Sequence, residues 1–444
     1  MSESSKKMRF PEVLSDDLVE HIMSTFLPIK SGLQSRGVSK RFRHAEIRSR
    51  YLDFSEIYSM RRSQLEVMLI IEDIFGKHKG SQINQLILTL NPIGVEDKIL
   101  TWIKTCVDKN VQELGLDFSK SKKVIEIPID FSAIETLTVL ELKWCKFKIP
   151  DNSPKGLKLL RTLSLMKTKM TKEMIDAIFS NCFHLESLEL IKCRMYGTLS
   201  INAQNHKKFK SLVVYSMPNL LNVILNAPTL ECYKYDGYVI MVDFSKVDAL
   251  KEAKLHYRWR YSYNPSALVI ANMGAYTGVH VLATTNIFLE AFSYRYSVGE
   301  MRRPTLCFRN LQEFQICLKS PSICNLFDIA EFLTQCPNLK RVSIDINGFT
   351  FEPDMFWTHH QKPKIQNGNY PLNTIEYVEI IGYKNNWHEL DIMEFFVRNA
   401  KSLEKLMLIE PKSPKTALLE PDYERIANIR SISPKKNLIE FVKG

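Results

Sequence analysis

Glycine is scarce in this chain, with 16 in 444 residues against an average usage of about 7%. No two glycines stand closer than four apart, which excludes the G-x-G-x-x-G loop that lets a backbone approach a dinucleotide. The nearest approach to a P-loop, Gly32 to Gly37, has Val38 where the phosphate-binding lysine must stand, in a stretch expected to be helical. The nine cysteines, at positions 106, 145, 182, 193, 232, 307, 317, 324 and 336, form no C-x-x-C pair. An odd, scattered set of this kind reads as reduced, mostly buried thiols. There is no H-E-x-x-H: His388-Glu389 stands alone, and His359-His360 lacks carboxylate or cysteine partners at ligand spacing and reads as a solvated loop. No apolar run reaches 18 residues, no apolar stretch marks the N-terminus as a secretory leader, and the N-x-S triplet at Asn264 is disqualified by Pro265. The expectation is a cytosolic or nuclear protein with no membrane partner, no cofactor, no metal and no catalytic residues of its own.

What the chain does have is length, apolar residues and a basic balance. With 45% hydrophobic and 25% charged residues it can bury a large core, and length alone suggests about three domains. Sixty Lys and Arg against 49 Asp and Glu give +11, yet no run of five or six like charges occurs. A basic surface on a soluble protein is the plain reading, with an acidic partner or nucleic acid made somewhat more attractive by the excess.

A repeat dominates the rest. The phrase apolar-x-x-apolar-x-apolar begins at 83, 111, 137, 160, 185, 209, 230, 250, 289, 311, 339, 375 and 403, from INQLIL through LTVLEL and LEAFSY to LEKLML. Most of the steps are 20 to 28 residues, with two near 40 that read as insertions. That period is the signature of leucine-rich repeats, in which a short strand buries alternate apolar residues and the chain returns along the convex side. Segments such as EDKILTWIKTCVDKN, KEMIDAIFSNC, DIAEFLTQC and DIMEFFVRNA carry helical spacing just before a strand phrase, so helices should feed strands. One repeat cannot bury its own apolar face, so neighbours must stack into a parallel sheet with a shared core. At the turn position after the phrase, only Cys145, Cys193 and Asn347 match the Asn or Cys usual there.

Residues 11–52 read differently. Ser15 is a plausible N-cap with Asp16 and Asp17 behind it, Leu18, Ile22 and Phe26 form an i, i+4 row, and Pro28 ends the helix, with two more short helices to follow. Three short helices in about 40 residues make too small a core for comfortable isolation. The run LSDDLVEHIMSTFLPIKSGLQSRGVSKRFR resembles the F-box of plant F-box/leucine-rich-repeat proteins. Leu18, Ile22, Leu27, Pro28, Lys30, Ser39, Lys40 and Arg41 keep the family pattern, while Ser15 replaces its proline and Phe42 its tryptophan. Residues 375–411 resemble the FBD segment that closes many such proteins.

The resemblance implies an α/β chain: a disordered start (1–10), an F-box (11–52), a helical linker (53–80), a leucine-rich-repeat solenoid (81–410) and a C-terminal tail (412–444). It further implies a non-catalytic substrate receptor of an SCF-type cullin-RING ubiquitin ligase. Leu14, Leu18, Ile22, Leu27, Pro28, Val38, Ser39 and Phe42 would meet a Skp-type adaptor, and through it a cullin. The repeats would hold a protein substrate, for which an acidic segment is the favoured ligand.

The phrase register puts one face of each strand on the open side of the sheet. Its middle displays Tyr215, Lys234, Lys254 and His256, followed by Trp259 in HYRWRYSY and Arg295 in RYSVGEMRRP. Interleaved aromatics and cations have the composition of binding hot spots and also of single-stranded nucleic-acid grooves. The competing reading is a solvated basic rim with aromatics packed between turns. As whole-chain alternatives, a leucine-rich-repeat scaffold or a sensor of a small acidic ligand ranks second, and a nucleic-acid-binding solenoid ranks last.

Overall fold

The computed structural model describes residue 18 and residues 47–444 except 58–62, 127–130, 132–133, 147–156, 260–264, 294–305, 352–354, 356, 413–417, 434 and 436. The expected three-helix F-box therefore lies outside the described residues, apart from Leu18, which is helical and exposed. Backbone proximity divides the chain into residues 1–169 with 180–185, and residues 170–179 with 186–444.

The first unit holds five parallel strands in chain order: β1 (Tyr51–Asp53), β2 (Gln85–Thr89), β3 (Glu113–Asp117), β4 (Val139–Lys143) and β5 (Thr162–Met166). Leu86, Leu114, Leu140 and Leu163 stand in register, as do Leu88, Leu116, Leu142 and Leu165, and none is more than 1% exposed. Each such side chain stabilises the stack by about 1.5–3 kcal/mol, which is why the period-2 alternation is so regular. Helices α1 (Gln64–Lys77) and α2 (Glu96–Asp108) occupy the returns before β2 and β3. A capping box between Ser63 and Glu66 starts α1, which buries Val67, Met68, Ile71 and Ile74.

The second unit opens with α3 (Lys172–Asn181), most of which belongs to it. Its principal sheet is parallel throughout, in the order β6 (Ser187–Ile191), β8 (Ser211–Tyr215), β10 (Cys232–Tyr238), β12 (Glu252–Arg258), β13 (Val281–Thr285), β14 (Glu313–Cys317), β15 (Arg341–Asp345), β16 (Tyr377–Ile381), β17 (Lys405–Ile409) and β18 (Ile439–Val442). Helices α4 (Ser266–Met273), α5 (Asn286–Phe292), α6 (Leu326–Leu333), α7 (Lys362–Asn367), α8 (Trp387–Asn399) and α9 (Tyr423–Ile432) make the later returns. Hydroxyl and amide side chains tie each turn to the one before: Asn310 Nδ2 donates to Gly278 O, Asn338 Nδ2 to Arg309 O, and Thr374 Oγ1 to Leu339 O.

Three features depart from the expectation. Three consecutive repeats, of 24, 21 and 20 residues, return through strands, not helices: β7 (Gly197–Asn202), β9 (Leu220–Asn226) and β11 (Met241–Lys246) form a second parallel sheet in the order β11-β9-β7. A strand advances about 3.3 Å per residue against about 1.5 Å for a helix, so a repeat of 20 or 21 residues can cross the convex side only when extended. The open edge of β11 is closed by a side chain: Asn272 accepts from the Val242 N–H at 3.3 Å and donates to Ile240 O at 2.8 Å.

The phrase at 289 is not a strand. Leu289 lies in α5, and the strand is β13, whose buried Thr284 stands where the pattern requires an apolar residue. Its hydroxyl is satisfied by Leu255 O at 3.3 Å, which lets a polar residue occupy a core position.

The repeats also extend past both expected ends. Strand β1 begins at Tyr51, inside the 11–52 span, and pairs with β2. The presumed tail carries α9 and β18, which pairs with β17. Arg425 of α9 bonds Asp391 and lies 3.4 Å from Glu394, while Lys362 reaches Asp391 at 3.2 Å, so a nearly buried carboxylate clasps the last helix.

All nine cysteines are free and six are buried. The turn role expected of Cys145 and Cys193 fits their weak thiol bonds to Lys146 O and Ile191 O, whereas Asn347 bonds the Asp345 carboxylate instead. No helix among the described residues is long and apolar enough to cross a membrane.

Candidate protein-binding surface

Strand register decides which predicted residues meet. In β8, β10 and β12 the core-facing set is Leu212 and Val214, Tyr233 and Tyr235, and Ala253, Leu255 and Tyr257, and Val213 on the other face of β8 is buried as well. The opposite face therefore presents the alternate residues, with Val213, Lys234 and Lys254 in one row and Tyr215, Asp236 and His256 in the next. Four of the six predicted binding residues, Tyr215, Lys234, Lys254 and His256, are thus neighbours on one sheet face. Trp259 follows β12 and is half-buried. Arg295 lies outside the described residues. Ser293, the residue between the last two apolar positions of the LEAFSY phrase, caps α5 and donates to Asp328 at 2.5 Å, and Ala283 stands at the corresponding strand position.

The patch is less basic than its composition suggests, because most of its cations are committed. Lys254 Nζ lies 2.6 Å from Glu252, whose hydrogen bond raises the lysine's pKa. Arg258 pairs with Asp236 and reaches Ser216 Oγ at 2.9 Å, while that hydroxyl donates to Asp236 at 3.0 Å. Burial, aided by Lys319 and Arg258, lowers the His256 pKa despite Asp236 and Asp345, so the imidazole is neutral at pH 7. Burial raises the Tyr215 pKa, leaving its phenol protonated. Lys234 has no ion pair among the described residues.

Beneath the face, Tyr233 stacks on Tyr235 at 6.3 Å, and the Tyr235 hydroxyl donates to Tyr238 O at 2.5 Å. Glycine at 237 leaves room for the Tyr235 hydroxyl, since a Cβ would stand 2.6 Å from it and force a shift. Beside Arg258, a recess of about 220 Å³ is lined by Leu221, Tyr238, Met241 and Leu268 among others. Leu221 is 62% exposed and Met241 40%, so an apolar recess adjoins a fixed guanidinium. That combination suits a protein ligand better than a phosphate backbone.

Arg258, Leu221 and Met241 were not singled out from sequence. For Met241 the signal was the period-2 burial of Val242 and Phe244, and for Arg258 that of Leu255 and Tyr257; Leu221 shares the parity of buried Val223 and Leu225 and is exposed where the β7–β9 register shifts. His388 and Glu389, left alone by motif reasoning, are structural. His388 Nε2 accepts from the Leu326 N–H at 3.1 Å, and Glu389 accepts from the N–H groups of Lys384 and Asn386. No group of three or more His, Cys, Asp or Glu among the described residues is arranged to hold a metal ion.

A family model described as the leucine-rich-repeat domain of At1g61320/AtMIF1 matches residues 74–423. The FBD-associated F-box protein At1g61320 of Arabidopsis thaliana is 58% identical over 439 residues, covering 97% of this chain and 96% of its own length. The chain belongs to the FBD-associated F-box proteins with leucine-rich repeats.

Other members of this plant F-box family align along nearly the whole chain. The putative FBD-associated F-box protein At1g61330 of Arabidopsis thaliana is 56% identical over 439 residues, 97% of this chain and 98% of its own. The F-box/FBD/LRR-repeat protein At5g44980, also of Arabidopsis thaliana, is 22% identical over 460 residues, 96% and 98% respectively. Among solved structures, the leucine-rich-repeat protein LIC12759 of Leptospira interrogans is similar at a TM-score of 0.39 and 14% identity, covering 94% of this chain and 99% of that one. In this F-box protein the FBD-like segment 375–411 comprises β16, α8 and β17. Of the adaptor-side residues, only Leu18 is described, 43% exposed.

Proposed function

We propose that this F-box protein is the substrate-receiving subunit of an SCF-type cullin-RING ubiquitin ligase. The observation that carries the reading is the F-box run from Leu14 to Phe42 standing directly ahead of a long stack of repeats with one open face. The F-box helices would offer Leu14, Leu18, Ile22, Leu27, Pro28, Val38, Ser39 and Phe42 to a Skp-type adaptor, which links to the cullin. The repeats would hold the protein to be modified, with Lys234, the Arg258–Asp236 pair and the Leu221–Met241 recess as contact points. No chemistry is asked of the chain itself: a receptor contributes effective concentration by holding its target near a transfer centre elsewhere in the assembly. Nucleus and cytoplasm are the proposed locations. Co-purification of the full chain with a Skp-type adaptor, compared with a Leu27→Asp/Pro28→Ala variant, tests the adaptor half. Loss in the variant with unchanged circular dichroism is expected; equal recovery would remove the assignment.

A further inference from the structure

The rim where the strands of the first unit end carries a basic cluster outside the F-box run. Lys143 closes β4 beside Asp117 and Met166 in the neighbouring strands. Lys146, Lys167 and Lys169 follow within the same two turns. The turn after β3 adds Lys120, Lys122 and Lys123 before Ile125 pairs with Cys145. Adjacent strands lie about 4.8 Å apart, so these lysines share a rim about three strands wide. Two carboxylates face them: Asp117, 3.8 Å from Lys143, and Glu126, 2.5 Å from Lys146. Lys122, Lys123 and Lys169 are exposed and have no ion pair among the described residues.

A second observation is conformational. Lys122 (φ 58°), Trp144 (φ 59°) and Lys167 (φ 57°) all sit in the left-handed region. Glycine occupies that region freely, whereas a residue with a Cβ is strained there. The chain places large side chains at these turns, and the Lys167 ammonium lies 4.0 Å from the centre of the half-buried Trp144 ring. The same turn recurs at Lys192 and Ser216 after later strands, so it belongs to the repeat, and in the rim it carries the Lys167 ammonium over the Trp144 ring.

We propose that this rim is a docking surface for an acidic peptide segment of a partner protein. Its described cations are all lysine, point charges that complement the carboxylates of an acidic peptide without a bidentate fork. Among its described residues the ring of Trp144 is already covered by Lys167, so they offer no run of free faces on which successive bases would stack. The positive charge complements carboxylates, and the lack of a free described ring disfavours stacked bases. The proposal stands independently of the ligase reading.

The test uses the full chain, a fluorescent octaglutamate peptide and an octathymidylate of the same length, followed by anisotropy at low and physiological salt. Octaglutamate should bind at low salt and weaken as salt rises, and Lys122→Gln/Lys167→Gln/Lys169→Gln should lower its affinity at least tenfold. Lys167→Gly should also weaken binding while leaving Tm unchanged or higher, because it relieves the left-handed turn; a purely structural lysine would not separate the two readouts. Peptide affinity unaffected by the triple substitution, or octathymidylate bound tenfold more tightly than octaglutamate, would overturn the proposal. Adaptor recovery should be equal in all variants, so failure here leaves the ligase reading untouched.

Discussion

Replacing Asn272 by alanine should open the edge of the second sheet. The Asn272 side chain is 2% exposed, accepts from Val242 N and donates to Ile240 O, closing the outer edge of β11 as a further strand would. Alanine would leave one buried N–H and one carbonyl without partners. Each such group costs about 1–3 kcal/mol; the 3.3 Å N–H bond is long, so the lower part of the range applies and the total is about 2–4 kcal/mol. At about 2–4 °C per kcal/mol for a unit of this size, Tm should fall by about 4–16 °C. Thermal unfolding followed by circular dichroism measures the shift, and amide exchange at Val242 should accelerate before the rest of the unit. Asn202→Ala is the control: it breaks the exposed 2.9 Å bond from Asn226 in the same sheet, and an exposed amide pair should change stability by less than about 0.5 kcal/mol. A fall of less than 1 °C for Asn272→Ala, or equal falls for the two variants, would refute the edge-closure argument. An opened edge also invites strand pairing between molecules, so the variant should aggregate at lower concentration.

Further outcomes follow from other sites. Gly237→Ala should destabilise by about 1–3 kcal/mol through overpacking against the Tyr235 hydroxyl; adding Tyr235→Phe should recover part of the loss in urea titrations, and no recovery would mean the clash lies elsewhere. His78 has its pKa lowered, first by burial and also by Lys109, although its Nε2–H donates to Ser49 O at 2.9 Å. Its neutral form is favoured in the fold, so the stability it contributes is complete above pH 6.5 and is lost as pH falls below that value. Tm should drop between pH 7 and 5, and His78→Gln should flatten that slope. On the open face, Lys234→Glu and Arg258→Gln should each reduce capture of the chain's protein substrate from plant extract while leaving adaptor recovery intact; unchanged capture by both would remove this face from the binding site.

Strands were legible where a leucine pattern met a buried register, as in LTVLEL and LRTLSL, whose leucines pair directly across β4 and β5. The pattern failed at β13 because Thr284 fills a core position with a satisfied hydroxyl, while Leu289 and Phe292 of the following helix imitate the phrase. It was also silent on β7, β9 and β11, because two or three alternating residues are too few to separate a strand from a loop. The final repeat was hidden by its shortness: Leu438 and Ile439 are the only buried residues at β18. Tyr215, Lys234, Lys254 and His256 do lie on neighbouring strands, but composition made their surface look too basic. Composition counts Lys254 and Arg258 as charges, and only the fold reveals that Glu252 and Asp236 answer them. The excess charge is instead concentrated, in part, on the lysine rim of the first unit. Glycine scarcity acquires a related meaning there, since several turns that glycine would make without strain are made by lysine and tryptophan.

The central claim is that the N-terminal F-box couples an intact repeat stack to a Skp-type adaptor, and one titration addresses it. The full chain and a version beginning at residue 46, which retains Ile47 and β1, are each titrated with purified adaptor by calorimetry, with circular dichroism confirming equal repeat content. The account predicts a one-to-one complex with the full chain and no heat with the shortened one. Equal binding by the shortened chain, or no binding by the full chain, would contradict it.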